Sequence, residues 1–210
     1  MIRSYRTTSF VANTTLAGIP PLALEARRQE EVYLRISEMR KNIPLGTIVL
    51  KDRIDAVKDA SRKKMVRNWK EWLTGVNIQG DMEYIRAIEG QLQEWMDARM
   101  GLSFRATQVL TGHGCFGRYL CRIGREATQK CWHCDAENDS AKHTLRYCPA
   151  WDRERGTLTE KIGVNLTGEA IIRELRGKEG RRAFINFCEE VMKKKEAAGR
   201  ARERAILGTT

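Results

Sequence analysis

The stretch CWHCDAENDSAKHTLRYC, from Cys131 to Cys148, decides how this chain is to be read. Its ligand-type side chains run Cys131, two residues, Cys134, eight residues, His143, four residues and Cys148. A Cys-x2-Cys pair forms a tight turn that aims both sulfurs at one point, and His-x4-Cys sets the other two ligands about one helical turn apart. Three thiolates and an imidazole suit a borderline-soft ion with no geometric demand of its own, and four protein ligands leave no open position for water. The spacing therefore predicts a small finger in which Cys131, Cys134, His143 and Cys148 hold one structural Zn2+. His133 is a rival ligand, but its place between the two sulfurs favours an outward orientation, toward a phosphate or a base. Asp139 or Ser140 is placed to cap a short helix from Ala141 to Tyr147. Such a segment has almost no core of its own. Zinc binding to finger peptides is worth about 10–16 kcal/mol, more than the whole stability of a typical domain, so folding of the finger and metal binding are expected to be one event. The bland alternative is buried free cysteines beside a surface histidine, and the loop between them is too polar to want cysteines for packing.

Around the finger lie Arg118, Arg122, Arg125, Lys130, Lys142 and Arg146, with Trp132 and Tyr147 next to ligands. Together with His133 these are the candidate nucleic-acid contacts. Aromatic rings accept base stacking worth about 1–3 kcal/mol each, while Lys and Arg follow the phosphates and make binding salt-dependent. A charge run is otherwise a solvated face, and the Lys193 to Lys195 cluster is read that way. The whole chain leans in the same direction: 38 Lys and Arg against 27 Asp and Glu give 210 residues a net charge of +11, which draws a protein to polyanions. The stretch from Met1 to Val11 has no apolar signal core, and no window approaches the run of about 18 apolar residues that spans a bilayer, so an intracellular chain that is not secreted is expected. In that compartment six cysteines point to metal ligation rather than disulfides.

On both sides of the finger the periodicity is helical. A short segment from Thr8 to Ala17 is stopped by Gly18 and the Pro20-Pro21 pair. A helix then runs to about Asn42 with Val32, Ile36, Met39 and Ile43 on one core-facing side. After a break at Pro44-Leu45-Gly46, a helix from Asp52 to Leu73 gathers Ile54, Val57, Met65, Trp69, Trp72 and Leu73, and Gly75 and Gly80 end it. A third, from Asp81 to Met100, aligns Ile85, Ile88, Leu92, Trp95 and Met96. Beyond the finger, Leu166 to Leu175 and Arg181 to Arg204 read as helices, the latter with Phe184, Phe187, Cys188, Val191 and Met192 inward and a basic tail fraying beyond Gly199. The expected class is mainly α, a helical assembly with one small Cys-Cys-His-Cys finger inserted before the C-terminal helices. Its segments are residues 1–43, 44–100, a Gly/Cys/His module at 101–155 with the finger at 131–148, and 156–210.

Two weaker patterns lie just upstream. Gly112 to Gly117 matches G-x-G-x-x-G, but no strand precedes it and no long helix follows, so the glycines are read as a tight turn with close backbone packing. His113, Cys115 and Cys121 could be ligands of a second metal, or His113 and Cys115 a base and nucleophile. No fourth ligand or orienting acid stands at a recognisable spacing, which leaves buried packing for the cysteines.

The run Ser103-Phe104-Arg105-Ala106-Thr107-Gln108-Val109-Leu110-Thr111-Gly112-His113-Gly114-Cys115-Phe116-Gly117-Arg118-Tyr119-Leu120, leading into the finger and Cys148-Pro149-Ala150-Trp151, resembles the carboxyl-terminal region of Jockey-like, non-LTR retrotransposon polyproteins. Ser4-Tyr5-Arg6-Thr7 and Leu16-Ala17-Gly18-Ile19-Pro20-Pro21 are similar to the stretch that follows the reverse transcriptase palm in that family. The resemblance implies a post-polymerase helical region, thumb-like over residues 1–43. It ends in a finger that binds element RNA or target DNA during target-primed reverse transcription, within a nuclear or cytoplasmic ribonucleoprotein. It also implies the reverse transcriptase core of the same polyprotein as a partner, and a Met1 lying inside a longer reading frame. No Tyr-x-Asp-Asp-like pair and no endonuclease-like cluster of acids and histidines occurs, so no residue inherits a catalytic role and a non-enzymatic chain is expected, with no membrane partner and no small-molecule substrate. The alternative is a helical scaffold, stapled by zinc, whose Trp69, Trp72 and Trp95 faces meet a protein partner.

Overall fold

The fold is taken from a computed structural model, which describes residues 2–6, 8–42, 44, 51–76, 83–99 and 101–207, the side chains of 206 and 207 excepted. Among these are eleven α-helices and one short 3-10 turn at Pro149–Trp151, with no strand. Ile43, the Leu45-Gly46 break, Gly80, and Asp81 and Met100 at the expected ends of the third helix fall outside the described residues, as do Met1 and Thr7.

The first half follows its hydrophobic pattern. Helix α1 (Phe10–Ala17) is capped by the Ser9 hydroxyl, which accepts from the Ala12 N–H, and it stops at Gly18 with φ of 63°, a conformation that costs glycine little. Helix α2 (Leu22–Lys41) starts directly after Pro21 and packs along α3 (Lys51–Gly75). In α3 the expected stripe goes inward, with Met65, Trp69 and Leu73 buried and Ser61 and Val66 beside them. The α2 stripe is shallower: Val32 is buried, whereas Ile36 and Met39 are half-buried. The third helix is two helices, α4 (Glu83–Gly90) and α5 (Leu92–Asp97), because Gly90 and the non-helical Gln91 (φ −132°, ψ 39°) interrupt it. Its apolar set still packs, with Ile85, Ile88, Leu92 and Trp95 at 5% exposure or less. The Trp95 indole N–H reaches back to the Thr15 carbonyl at 3.0 Å, which ties α5 to α1.

The second half holds helices α6 (Phe104–Thr111), α7 (Gly117–Arg122), α8 (Ala141–Arg146), α9 (Asp152–Ile162), α10 (Gly168–Leu175) and α11 (Lys178–Leu207). Helix α11 packs on α9, α6 and α10, and α10 packs in turn on α4. Its expected inward residues Phe184, Phe187, Cys188, Val191 and Met192 are all buried. Two expectations are corrected here. The helix starts at Lys178 and runs through Gly199 to Leu207, without fraying at the glycine. Lys195 is not on a solvated face: it is 3% exposed, on the same side of the helix as Cys188, Val191 and Met192. Buried side chains from Val11 to Met192, Cys131 and Cys148 among them, form one contiguous cluster. No described helix is long and apolar enough to cross a membrane.

Candidate metal centre and its flanking surface

The finger is built from two backbone turns. In the first, the Cys131 N–H donates to the Ala136 carbonyl at 2.7 Å and the Asp135 N–H to the Cys131 carbonyl at 2.9 Å, with Asp135 in the left-handed region at φ 59°. In the second, the Ser140 hydroxyl caps α8 by accepting from the His143 N–H at 3.0 Å, and the Cys148 N–H donates to the His143 carbonyl at 2.8 Å. These turns bring the four expected ligand atoms together, all within 4.8 Å of one another. Cys131 Sγ and Cys148 Sγ are 3.9 Å apart, and Cys134 Sγ and His143 Nε2 are 3.2 Å apart. A tetrahedron with metal–sulfur bonds of about 2.3 Å and metal–nitrogen bonds of about 2.0 Å has edges of about 3.5–3.8 Å, so the donor set fits one closed ion site. Among the described residues this is the one group of ligand-type side chains gathered in that way.

Burial acts in opposite senses on the thiols and on the imidazole. Burial raises the thiol pKa of Cys131 and pushes that of Cys148 up to about 12, so both hold their protons at neutral pH until a metal displaces them. Burial lowers that of His143, which keeps its imidazole neutral and leaves Nε2 able to ligate.

Four side chains hold the finger in place: Lys195 and Asp139, to which the sequence suggested other roles, and Arg155 and Glu83, which it did not single out. Lys195 Nζ lies 2.9 and 2.8 Å from the two carboxylate oxygens of Asp139, which is itself 3% exposed. Asp139 also accepts from the Gly117 N–H at 2.9 Å and the Thr144 hydroxyl at 3.2 Å, so it acts as a buried hub rather than the cap of α8. Arg155 on α9 donates to the Leu145 carbonyl at 2.9 Å and the Cys148 carbonyl at 2.6 Å, closing the open end of α8. Glu83 on α4 accepts from Arg146 at 2.6 Å and from the Gly168 N–H at 2.5 Å.

The candidate contacts divide into three groups. Arg118, Arg125 and Lys142 are exposed, Arg118 and Arg125 in no ion pair among the described residues and Lys142 in electrostatic reach of Glu83, and Arg122 stacks its guanidinium over Tyr119 at 5.2 Å. Trp132 is 51% and Tyr147 63% exposed, and the Arg202 guanidinium sits 4.8 Å from the Trp132 ring centre. The others are committed within the protein: Arg146 to Glu83, Lys130 to Asp135 at 3.6 Å, and His133 to the Trp151 ring at 4.8 Å, half-buried rather than turned outward. Trp132, His133 and Arg125 line one cleft together with residues of α11, whereas Arg118, Lys142 and Tyr147 do not line it.

The weaker patterns resolve as packing. Gly112 ends α6 at φ 68°, and a Cβ on Gly117 would lie 2.7 Å from the Gln129 carbonyl oxygen, so the glycines serve a turn and a close backbone approach. The Cys115 thiol faces the Met192 carbonyl at 3.8 Å, with its pKa pushed by burial to about 12, and His113 packs on Tyr119.

Compared with known proteins, the chain is similar to a retrovirus-related Pol polyprotein from type-1 retrotransposable element R1 4 of Nasonia vitripennis. The two are 25% identical over 194 residues, 88% of this chain and 47% of that protein. It is similar also to a 115 kDa protein in type-1 retrotransposable element R1DM of Drosophila melanogaster, 26% identical over 202 residues, 91% of this chain and 19% of that protein. No protein-family model matches, and no solved structure matches. The chain spans about half the length of the first relative and a fifth of the second, and over most of its own length it bears a distant similarity to non-LTR retrotransposon Pol polyproteins.

Proposed function

We propose that this chain is a zinc-dependent nucleic-acid-binding region of a retrotransposon reverse transcriptase polyprotein. It grips element RNA, single-stranded DNA or target DNA during target-primed reverse transcription and has no catalytic site of its own. The observation that carries this is the Cys131, Cys134, His143 and Cys148 cluster, a donor set suited to structural zinc, on a chain similar over most of its length to Pol polyproteins. Exposed Trp132 and Tyr147 and the exposed Arg118, Arg125 and Lys142 beside it offer stacking and phosphate contacts, and the net charge of +11 favours a polyanion. The test is a fluorescence-anisotropy titration of labelled oligonucleotides. Binding falls steeply with salt, weakens about uniformly across sequences in Arg118→Ala and Arg122→Ala, and is lost when a chelator removes the metal. Affinity that is indifferent to both salt and chelation refutes it.

A second reading, an interaction scaffold, has an observation of its own, though not the one the sequence pointed to. Trp69 and Trp95 are fully buried in this chain's core and Trp72 is half-buried, which leaves the first two no face for a partner. Three exposed apolar side chains, Phe10, Ile19 and Leu22, at 60%, 56% and 81%, lie along a cleft of about 690 Å³ beside Met65 and Met96. On this reading they seat the polymerase core of the same polyprotein. A pull-down of that core that survives high salt, from a chain with no affinity for oligonucleotides, favours it.

A further inference from the structure

Between the Cys131–Cys134 turn and the far half of α11 lies a cleft of about 490 Å³, within the range of cavities that hold small ligands. One wall is Trp132 and His133 from the finger. The other is α11, through Lys195, Glu196, Gly199, Arg200, Arg202 and Glu203, with Tyr119, Ile123 and Arg125 of the α7 region completing the rim. Arg202 covers one face of the Trp132 indole at 4.8 Å and is itself held by Glu126 at 3.5 Å. Trp132 is still 51% exposed beneath that guanidinium, which leaves part of the indole accessible to a ligand. The indole is therefore fixed in orientation before any ligand arrives, and arginine stacking leaves its accessible part a ready platform for another π system.

Charge in the cleft is sorted. Lys195 is neutralised by Asp139, Glu196 by Arg105 at 2.7 Å, and Arg202 by Glu126. That leaves Arg125 and Arg200 as cations without carboxylate partners among the described residues, against one exposed carboxylate, Glu203. Arg122 does not line the cleft, although it stacks on Tyr119, which does. A planar apolar platform with free guanidiniums beside it matches a base flanked by phosphates. It does not suit a duplex, whose bases show only their edges.

We infer that this cleft takes one unpaired base of a single-stranded nucleic acid, stacked on Trp132, with Arg125 and Arg200 on the neighbouring phosphates. The inference rests on the nucleic-acid reading of the finger and adds what that reading lacks, a defined subsite whose second wall is the C-terminal helix.

The experiment uses the full, zinc-loaded chain with 12-nucleotide single strands of DNA and of RNA, and a duplex of the same sequence. Of the five tryptophans, Trp132 alone is mostly exposed, so base stacking quenches intrinsic fluorescence in the parent and not in Trp132→Phe. Trp132→Ala weakens single-strand binding between about fivefold and a hundredfold, Trp132→Phe keeps most of the affinity, and neither changes duplex binding. Arg125→Ala and Arg200→Ala each lower the slope of log affinity against log salt by about 0.7. Quenching by the DNA strand, the RNA strand or both supports the subsite and identifies its source. Melting curves matching the parent show that these surface variants fold. The subsite is overturned if Trp132→Ala and Arg200→Ala bind single strands like the parent while chelation still abolishes binding, a result that leaves the finger's own role standing. Equal sensitivity of duplex and single strand to Trp132→Ala also overturns it. A zinc-loaded chain that binds no oligonucleotide overturns this subsite and the function proposed above together.

Discussion

Replacing Lys195 with Met tests the claim that the finger is locked to the C-terminal helix by a buried ion pair. The methionine fills nearly the same space, so packing against Phe116 and Met192 changes little, and the perturbation is mostly one of charge. In the parent, Nζ lies 2.8 and 2.9 Å from the two Asp139 oxygens, and both residues are 3% exposed. The variant leaves that carboxylate, nearly buried at the side of the cleft, with the Gly117 N–H and the Thr144 hydroxyl as its donors. Removing one member of a buried pair costs about 3–5 kcal/mol, mainly because the surviving charge is uncompensated. For a chain of this size each kcal/mol moves the melting midpoint by about 2–4 °C, so the midpoint should fall by about 6–20 °C in a far-ultraviolet circular dichroism melt. Lys193→Met, at an exposed position, should stay within about 0.5 kcal/mol. Combining Lys195→Met with Asp139→Asn should cost less than the two single changes added together, because the double variant buries no lone charge. A Lys195→Met midpoint within about 2 °C of the parent would show that the pair does not hold the finger.

Metal content comes next: elemental analysis of purified protein should find about one zinc per chain, and Cys134→Ser should lose it together with oligonucleotide affinity. Cys131 and Cys148 are held protonated at neutral pH, so zinc binding should release at least two protons per ion. Apparent affinity should then rise with pH by about a hundredfold per unit or more, measured by competition with a colorimetric chelator; a pH-independent affinity contradicts ligation by these thiols. Gly117→Ala would place a Cβ 2.7 Å from the Gln129 oxygen and 2.8 Å from the Lys130 oxygen, both backbone atoms, and should destabilise by about 1–3 kcal/mol in the same melt, against a near-neutral effect at the open position Gly156.

What could be read beforehand, and what could not, follows from how local each signal is. The clustering of Cys131, Cys134, His143 and Cys148 was legible because two short spacings fix backbone turns by themselves, and the amphipathic stripes of α3 and α11 were legible because burial enforces a 3.6-residue period. Lys195 was misread although its signal was present. It continues the Phe184, Cys188, Val191 and Met192 stripe at helical spacing, and attention to the lysine run hid the phase. What periodicity could not give was the partner, since Asp139 lies 56 residues away and only the folded chain brings the two together. Arg146 shows the opposite error. Its charge and its neighbourhood suggested a phosphate contact, but 63 residues upstream Glu83 claims it. The split of α4 from α5 was marked by Gly90, yet glycine within an apolar stripe is a weak breaker and tertiary packing settles the outcome.

The same long-range pairs change what the metal does. A finger without a core would melt alone on losing its ion. Here Cys131 and Cys148 are fully buried within the common cluster, and the finger is tied to α4 through Glu83, to α9 through Arg155 and to α11 through Lys195. On the zinc reading, the ion fixes the Cys131–Cys134 turn, the turn carries Trp132, and the Asp139–Lys195 pair registers that turn against the stretch of α11 bearing Arg200 and Arg202. On that reading a bound ion would shape the cleft without lying in it. It sets one wall, and the buried pair sets the distance to the other.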